Sequence, residues 1–159
     1  MGNGYGYSVS FRVFHPDRRL HDISHALGVI PMHLGERGQQ RRMRSGALLP
    51  YVEKQHYWST RVISGRYDIR DLPSAIQLAL NWIEPAKTLI HEIITSGGRA
   101  ELFIGWFFEN GNSGDVLDHR LIAQAADLGI DLSFDIYPDE QNISPGVLDS
   151  SPPELGCPR

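Results

Sequence analysis

Four histidines, His15, His21, His25 and His33, fall within nineteen residues near the start of the chain. His21 and His25 are four apart, so on a helix they share a face, and neutral imidazoles on one face can chelate zinc or copper. The motif is incomplete: Asp22 follows His21 and Ala26 follows His25, which is not HExxH, and no cysteine lies nearby. A solvated or locally hydrogen-bonded group of histidines is the expectation, with no metal and no other cofactor. Arg37, Arg41, Arg42 and Arg44 crowd into eight residues. Guanidinium groups hold phosphate or carboxylate bidentately, which suits an acidic protein, DNA or RNA. No Phe, Tyr or Trp interleaves with these four arginines to stack a base, and the whole chain is acidic, so nucleic acid is not the expected partner.

Enzyme templates fit poorly, and no catalytic residue is assigned. There is no G-x-S-x-G elbow and no G-x-x-x-x-G-K-[ST] loop, and Gly2-Asn3-Gly4-Tyr5-Gly6 lacks the preceding strand of a dinucleotide fingerprint. The Asn110 to Asp115 loop lacks the alternating oxygens and terminal Glu of a calcium loop. Asp131, Asp135 and Asp139 recur every fourth residue. On a strand that spacing is one face at about 13 Å per step, too far apart for paired-carboxylate chemistry.

A more coherent set comes from residues that alternate along four candidate strands. Ser10, Arg12 and Phe14 share one side of the first, Tyr57, Ser59 and Arg61 of the second, Phe103 and Phe107 of the third, and Ser133, Asp135 and Tyr137 of the fourth. Aromatic rings beside Arg and a carboxylate form the composition of an interaction hot spot. Neighbouring strands would bring Asp135 within reach of Arg12 or Arg61, either as part of a docking surface or as a cross-strand ion pair that stitches the sheet. The expected partner-binding residues are Arg12, Arg37, Arg41, Arg42, Arg44, Trp58, Arg61, Phe103, Asp135 and Tyr137, which together face a protein. The alternative is a small-ligand or enzymatic pocket between the long 34–55 loop and the sheet, lined by Arg12, Trp58, Arg61 and Asp135.

The elements that must position these residues follow from periodicity. Residues 5–14 alternate with Tyr7, Val9, Phe11 and Val13 on the buried side. A short helix runs from Asp22 to Leu27 and Gly28 closes it. Residues 34–55, rich in Gly, Gln and Arg, read as a long mobile connection before a strand from His56 to Ser64. Asp71 caps a helix with Pro73 in its first turn, ending near Ile83, and Pro85 opens another that Gly97-Gly98 stop. Ala100 to Phe108 is a strand apolar on both sides, hence central. Asp118 caps a helix that Gly129 ends, and Ile130 to Tyr137 is a strand burying Leu132, Phe134 and Ile136. The resulting class is α+β, a two-layer sandwich with a four-stranded sheet, element order β-α-β-α-α-β-α-β, and helices mainly on one face. Residues 1–6 read as a flexible N-terminus, 7–138 as one domain, and 139–159 as a disordered, acidic Pro/Ser-rich tail.

With 159 residues, 41% of them apolar, one core can form without a metal or disulfide. Residues 1–70 hold 11 Lys+Arg against 5 Asp+Glu, and residues 71–159 hold 4 against 14, for a net charge of −4. Such a dipolar chain either steers an oppositely charged partner or interleaves its halves and neutralises them. No apolar run approaches the roughly 20 residues of a membrane helix, and no charged segment leads into an apolar stretch at the N-terminus. The lone Cys157 cannot form an intrachain disulfide, so a reducing, cytoplasmic location is expected, with no membrane partner.

Several short segments in a fixed order carry a family likeness: Ser10-Phe11-Arg12-Val13-Phe14, then Leu27-Gly28-Val29-Ile30-Pro31, Trp58 near the start of a strand, and Asp135-Ile136-Tyr137. Over roughly residues 7–138 the chain resembles the bacterial domain of unknown function family 4279. The resemblance implies a small bacterial α+β domain without an established activity or cofactor, and supplies no catalytic residues. It also implies an immunity- or antitoxin-like role, in which the protein partner is a toxin.

Overall fold

The structure is a computed structural model that describes residues 5–43, 45–65, 71–108 and 114–137. Arg44, the 139–159 tail with Cys157, and most of the Asn110 loop lie outside the described residues. Strand β1, Tyr5–His15, alternates as its sequence requires: Tyr7, Val9, Phe11 and Val13 are buried, and Ser8, Ser10, Arg12 and Phe14 are half-buried on the other side. The strand thus starts at Tyr5, so Tyr5 and Gly6 are not part of a free N-terminus. Helix α1 spans His21–Leu27 and ends in a left-handed Gly28.

The main sheet has five strands, not four, in the order β2 (His33–Gly35), β5 (His56–Gly65), β1, β6 (Arg99–Phe108), β7 (Ile130–Tyr137). All neighbours are antiparallel except β6 and β7, which are parallel. The first strand in sequence is therefore the central one. The extra strand comes from the segment whose composition suggests a mobile connection. Met32 donates its backbone N–H to the Ser59 carbonyl at 2.9 Å, and residues 33–35 then pair with β5. Beyond it, β3 (Gln40–Arg42) and β4 (Leu48–Val52) form a separate hairpin. Backbone ladders need no apolar side chains, and strands of three to five residues are too short to reveal a period, so composition hides both elements.

Helices α2 (Leu72–Ile83), α3 (Lys87–Thr95) and α4 (His119–Asp127) bury Leu72, Ile76, Leu80, Ile83, Ile90, Ile93, Leu121 and Ala125 in the same core as the inward residues of β1, β5 and β6. A single 3-10 turn, Glu84–Ala86, separates α2 from α3. The residues pointing to the opposite side of the sheet join this core nowhere among the described strands, so one face is covered and one is bare. Strand β7 departs from expectation. Phe134 and Ile136 point to the helical side yet stay largely exposed, because β7 is an edge strand with packing on one flank only. Gly98 is forced by close approach: a β-carbon there would lie 2.6 Å from Ile93 Cγ2 and 2.7 Å from the Phe14 carbonyl oxygen.

The cap on α2 yields a measurable consequence. The Asp71 carboxylate accepts from the Ser74 side chain and from its backbone N–H at 2.8 Å, and these bonds hold its pKa below the ordinary carboxylate value. Asp71→Ala should cost about 1 kcal/mol at neutral pH. A depressed folded-state pKa contributes stability above the unfolded value and loses it as pH falls through the folded one. Urea unfolding should therefore show the gap between native and variant closing below the usual carboxylate range. An undiminished gap in acid would contradict the assignment.

Candidate functional site

The bare face of the sheet converges on a carboxylate that alternation in β6 places between two arginines. Arg12 on β1 is in register with Glu101 on β6, and Phe14 with Arg99. The Glu101 side chain is 7% exposed and takes three neighbours: Arg99 Nη1 donates to Oε2 at 3.0 Å, Ser133 Oγ donates to Oε2 at 2.8 Å, and Arg12 Nη1 lies 3.7 Å from Oε1. Both guanidinium groups also lie over aromatic rings. Arg12 Cζ is 3.4 Å from the Phe103 centroid and Arg99 Cζ is 4.1 Å from that of Phe14. Tyr57 packs against Phe14 at 4.9 Å, and Phe107 stacks on Tyr137 at 4.8 Å. Two arginines share this carboxylate, Asp131 of β7 stands in register beside it on the same face, and Arg12 and Arg99 remain 29% and 53% exposed.

Of the residues expected from sequence, the structure joins Arg12 and Phe103 in this cluster and sets Tyr137 on the same face. Arg61 lies opposite Ser10, exposed, with no ion pair among the described residues. Asp135 does not meet Arg12. Strand register puts it beside Gly105, two residues beyond Phe103, and it accepts the hydroxyl hydrogen of Tyr137. That bond raises the phenol pKa above its ordinary value, with burial and the Asp135 charge acting in the same direction. Trp58 is withdrawn from the set. It is fully buried on the helical side, edge-on to Phe11 at 5.8 Å, and its indole N–H donates to Ser24 Oγ at 2.9 Å.

The described loop arginines, Arg37, Arg41 and Arg42, hold local partners and do not join Arg12 and Arg99. Arg37 donates to Asp17 Oδ1 at 2.6 Å and the Pro16 carbonyl at 3.3 Å, Arg41 lies 3.7 Å from Glu53, and Arg42 reaches the Gly46 carbonyl. Glu53 in turn covers Gly35, where a β-carbon would meet it at 3.2 Å, so the hairpin leans on the bare side of the β2 edge. Between them is a cleft of about 360 Å³ whose walls include His33, Gln40, Arg41, Arg42, Glu53 and Tyr57.

The histidine group is dispersed. His15 is buried, its Nε2 3.1 Å from Ser96 Oγ and its Nδ1 accepting the N–H groups of Asp17 and Arg18. His21 bonds Glu36 at 2.9 Å, which lowers the Glu36 pKa, and His25 is exposed. Among the described residues no three His, Cys, Asp or Glu side chains come together as a metal site. No described helix is long and apolar enough to cross a membrane.

Reading β6 as apolar on both sides misses Glu101 and Arg99. The signal was present: both share the parity of Phe103, and a lone Glu in an apolar strand needs a cationic neighbour. Paired Arg and aromatic groups held by a buried carboxylate can bind an acidic or planar surface. No curated protein and no solved structure matches the chain. Residues 5–139 match the family model described as a domain of unknown function, DUF4279, and the chain belongs to that family.

Proposed function

We propose that the protein is a non-enzymatic binding module that recognises a protein partner through the bare face of its sheet and the arginine-rich loop beside it. The supporting observation is the Glu101 cluster, which holds Arg12 over Phe103 and Arg99 over Phe14 before any partner arrives. Pre-set rotamers reduce the ordering cost of association, and Arg and aromatic side chains dominate binding hot spots. In the immunity-type version of this reading, the partner is a single toxin, held one to one in the cytoplasm of a bacterium. Pull-down from the native source should retain one protein at near-stoichiometric yield. The Arg12→Glu, Arg99→Glu double variant should weaken that capture by at least about 100-fold, since reversing a desolvated charge costs several kcal/mol. Unchanged capture by a folded double variant would end the proposal.

A second reading, small-ligand binding between the long loop and the sheet, is favoured by the cleft beside Glu53. Its walls are not Arg12, Trp58, Arg61 and Asp135 but residues of β2 and the hairpin segment, with Tyr57 of β5. A ligand that binds only the folded state raises the melting temperature, so a thermal-shift screen of metabolites separates the two readings.

A further inference from the structure

Among the described residues, β7 pairs with β6 on one side and with nothing on the other. The far edge of the sheet is handled differently: β2 covers part of β5, and the β3–β4 hairpin leans over that end. Strand β7 carries two charged side chains, Asp131 and Asp135, as its only edge-protecting feature among the described residues. From Ile130 to Tyr137 it contains no Pro, Lys or Arg, and its register with β6 has no bulge.

The side chains along this edge are apolar and wet. Phe134 is 40% and Ile136 56% exposed on the helical side of the strand. On α4, Gln124 bonds Asn81 and Gln77 of α2, so the opposite flank of α4, which carries Ile122 at 50% exposure, turns toward the β7 edge.

We propose that the occupant of this edge is a second copy of the chain, paired antiparallel through β7 about a two-fold axis, so that one sheet runs through both copies. Charge selects the register. With Phe134 opposite Phe134, Leu132 meets Ile136, Ser133 meets Asp135, and Asp131 meets Tyr137, so each carboxylate faces a neutral hydroxyl side chain. The two adjacent registers that keep the faces matched set Asp135 against Asp135, or Asp131 against Asp135, and like charges directly opposite are destabilising. A one-residue slip turns Phe134 and Ile136 toward the polar face of the other copy. The pairing is isologous and closes on itself, so it ends at a dimer rather than a fibre. This inference stands apart from the proposed docking face, which the two-fold leaves open on one common side.

Sedimentation velocity of the full chain at micromolar concentrations should show a dimer, and Ile136→Lys should show a monomer with an unchanged circular dichroism spectrum. In a Cys157→Ser background, mild oxidation should link Phe134→Cys to itself at least about tenfold more than Ser133→Cys, because directly opposed β-carbons lie about 4.5–5.5 Å apart. Mixing Ser133→Cys with Asp135→Cys should restore the cross-link. A full chain that stays monomeric, a dimer indifferent to Ile136→Lys, or equal cross-linking at 133 and 134 would each overturn the proposal. So would dimerisation that begins only when the chain is cut after Tyr137, which would assign the edge to the chain's own C-terminal segment.

Discussion

Trp58→Ala should lower the unfolding free energy by about 3–5 kcal/mol, the range for emptying a buried aromatic site, and the melting temperature by roughly 6–20 °C for a domain of this size. The side chain is fully buried between β1 and the helices, touches Phe11 edge-on, and satisfies its indole N–H on Ser24 of α1. Truncation therefore removes apolar contact, leaves a cavity in a close-packed region, and strips the Ser24 hydroxyl of its donor. Trp58→Phe keeps the ring and loses the hydrogen bond, so its cost should be near 1–2 kcal/mol. Urea unfolding at neutral pH measures both. A Trp on a docking face would behave in the opposite way: its removal would spare stability and weaken partner capture. A loss below about 1 kcal/mol for Trp58→Ala would contradict the burial that the structure assigns.

Glu101→Ala should be the most damaging polar substitution on the bare face, at about 2 kcal/mol. It deletes two hydrogen bonds to a charged acceptor, each typically worth about 1.5–3 kcal/mol, from a side chain only 7% exposed. The full sum is not expected, for two reasons. Arg12 and Arg99 can turn to water when the carboxylate is gone, and the variant no longer bears the cost of burying that charge. Asp135→Ala is the control. Its carboxylate is half-buried and serves Tyr137, so the change should stay within about 0.5 kcal/mol. Chemical denaturation of the two variants side by side is decisive: equal effects would mean that the cluster does not centre on Glu101. A double-mutant cycle of Arg99 and Glu101 should return a favourable coupling, because the groups are in direct contact. If the bare face is the docking surface, Glu101→Ala should also weaken capture of the partner, since it releases both guanidinium groups from the Phe103 and Phe14 rings.

The charge division along the chain also resolves in three dimensions. The basic first half supplies β1 and β5, and the acidic second half supplies β6 and β7. Pairing β1 with β6 places Arg12 against Glu101, and the turn between β1 and α1 approaches α3 so that Arg18 lies 3.8 Å from Glu92. Across these contacts the halves interleave, and opposite charges that were remote in sequence become neighbours.

Much of this fold is legible in the residues alone because the forces that make it are local. Alternation of Tyr7, Val9, Phe11 and Val13 specifies a half-buried strand, Asp71 and Asp118 satisfy free N–H groups at their own helix starts, and Gly28 ends its helix with a left-handed turn. Each of these signals acts within about one turn or one strand, so neighbouring residues suffice to read it. Only the tertiary structure decided which carboxylate meets Arg12, which face Trp58 fills, and that residues 33–35 join the sheet. Those outcomes depend on strand order and register between segments far apart in the chain. Glu101 stands where Asp135 was expected because β6 lies between β1 and β7, and because the register of β7 sets Asp135 beside Gly105, four residues along β6 from Glu101.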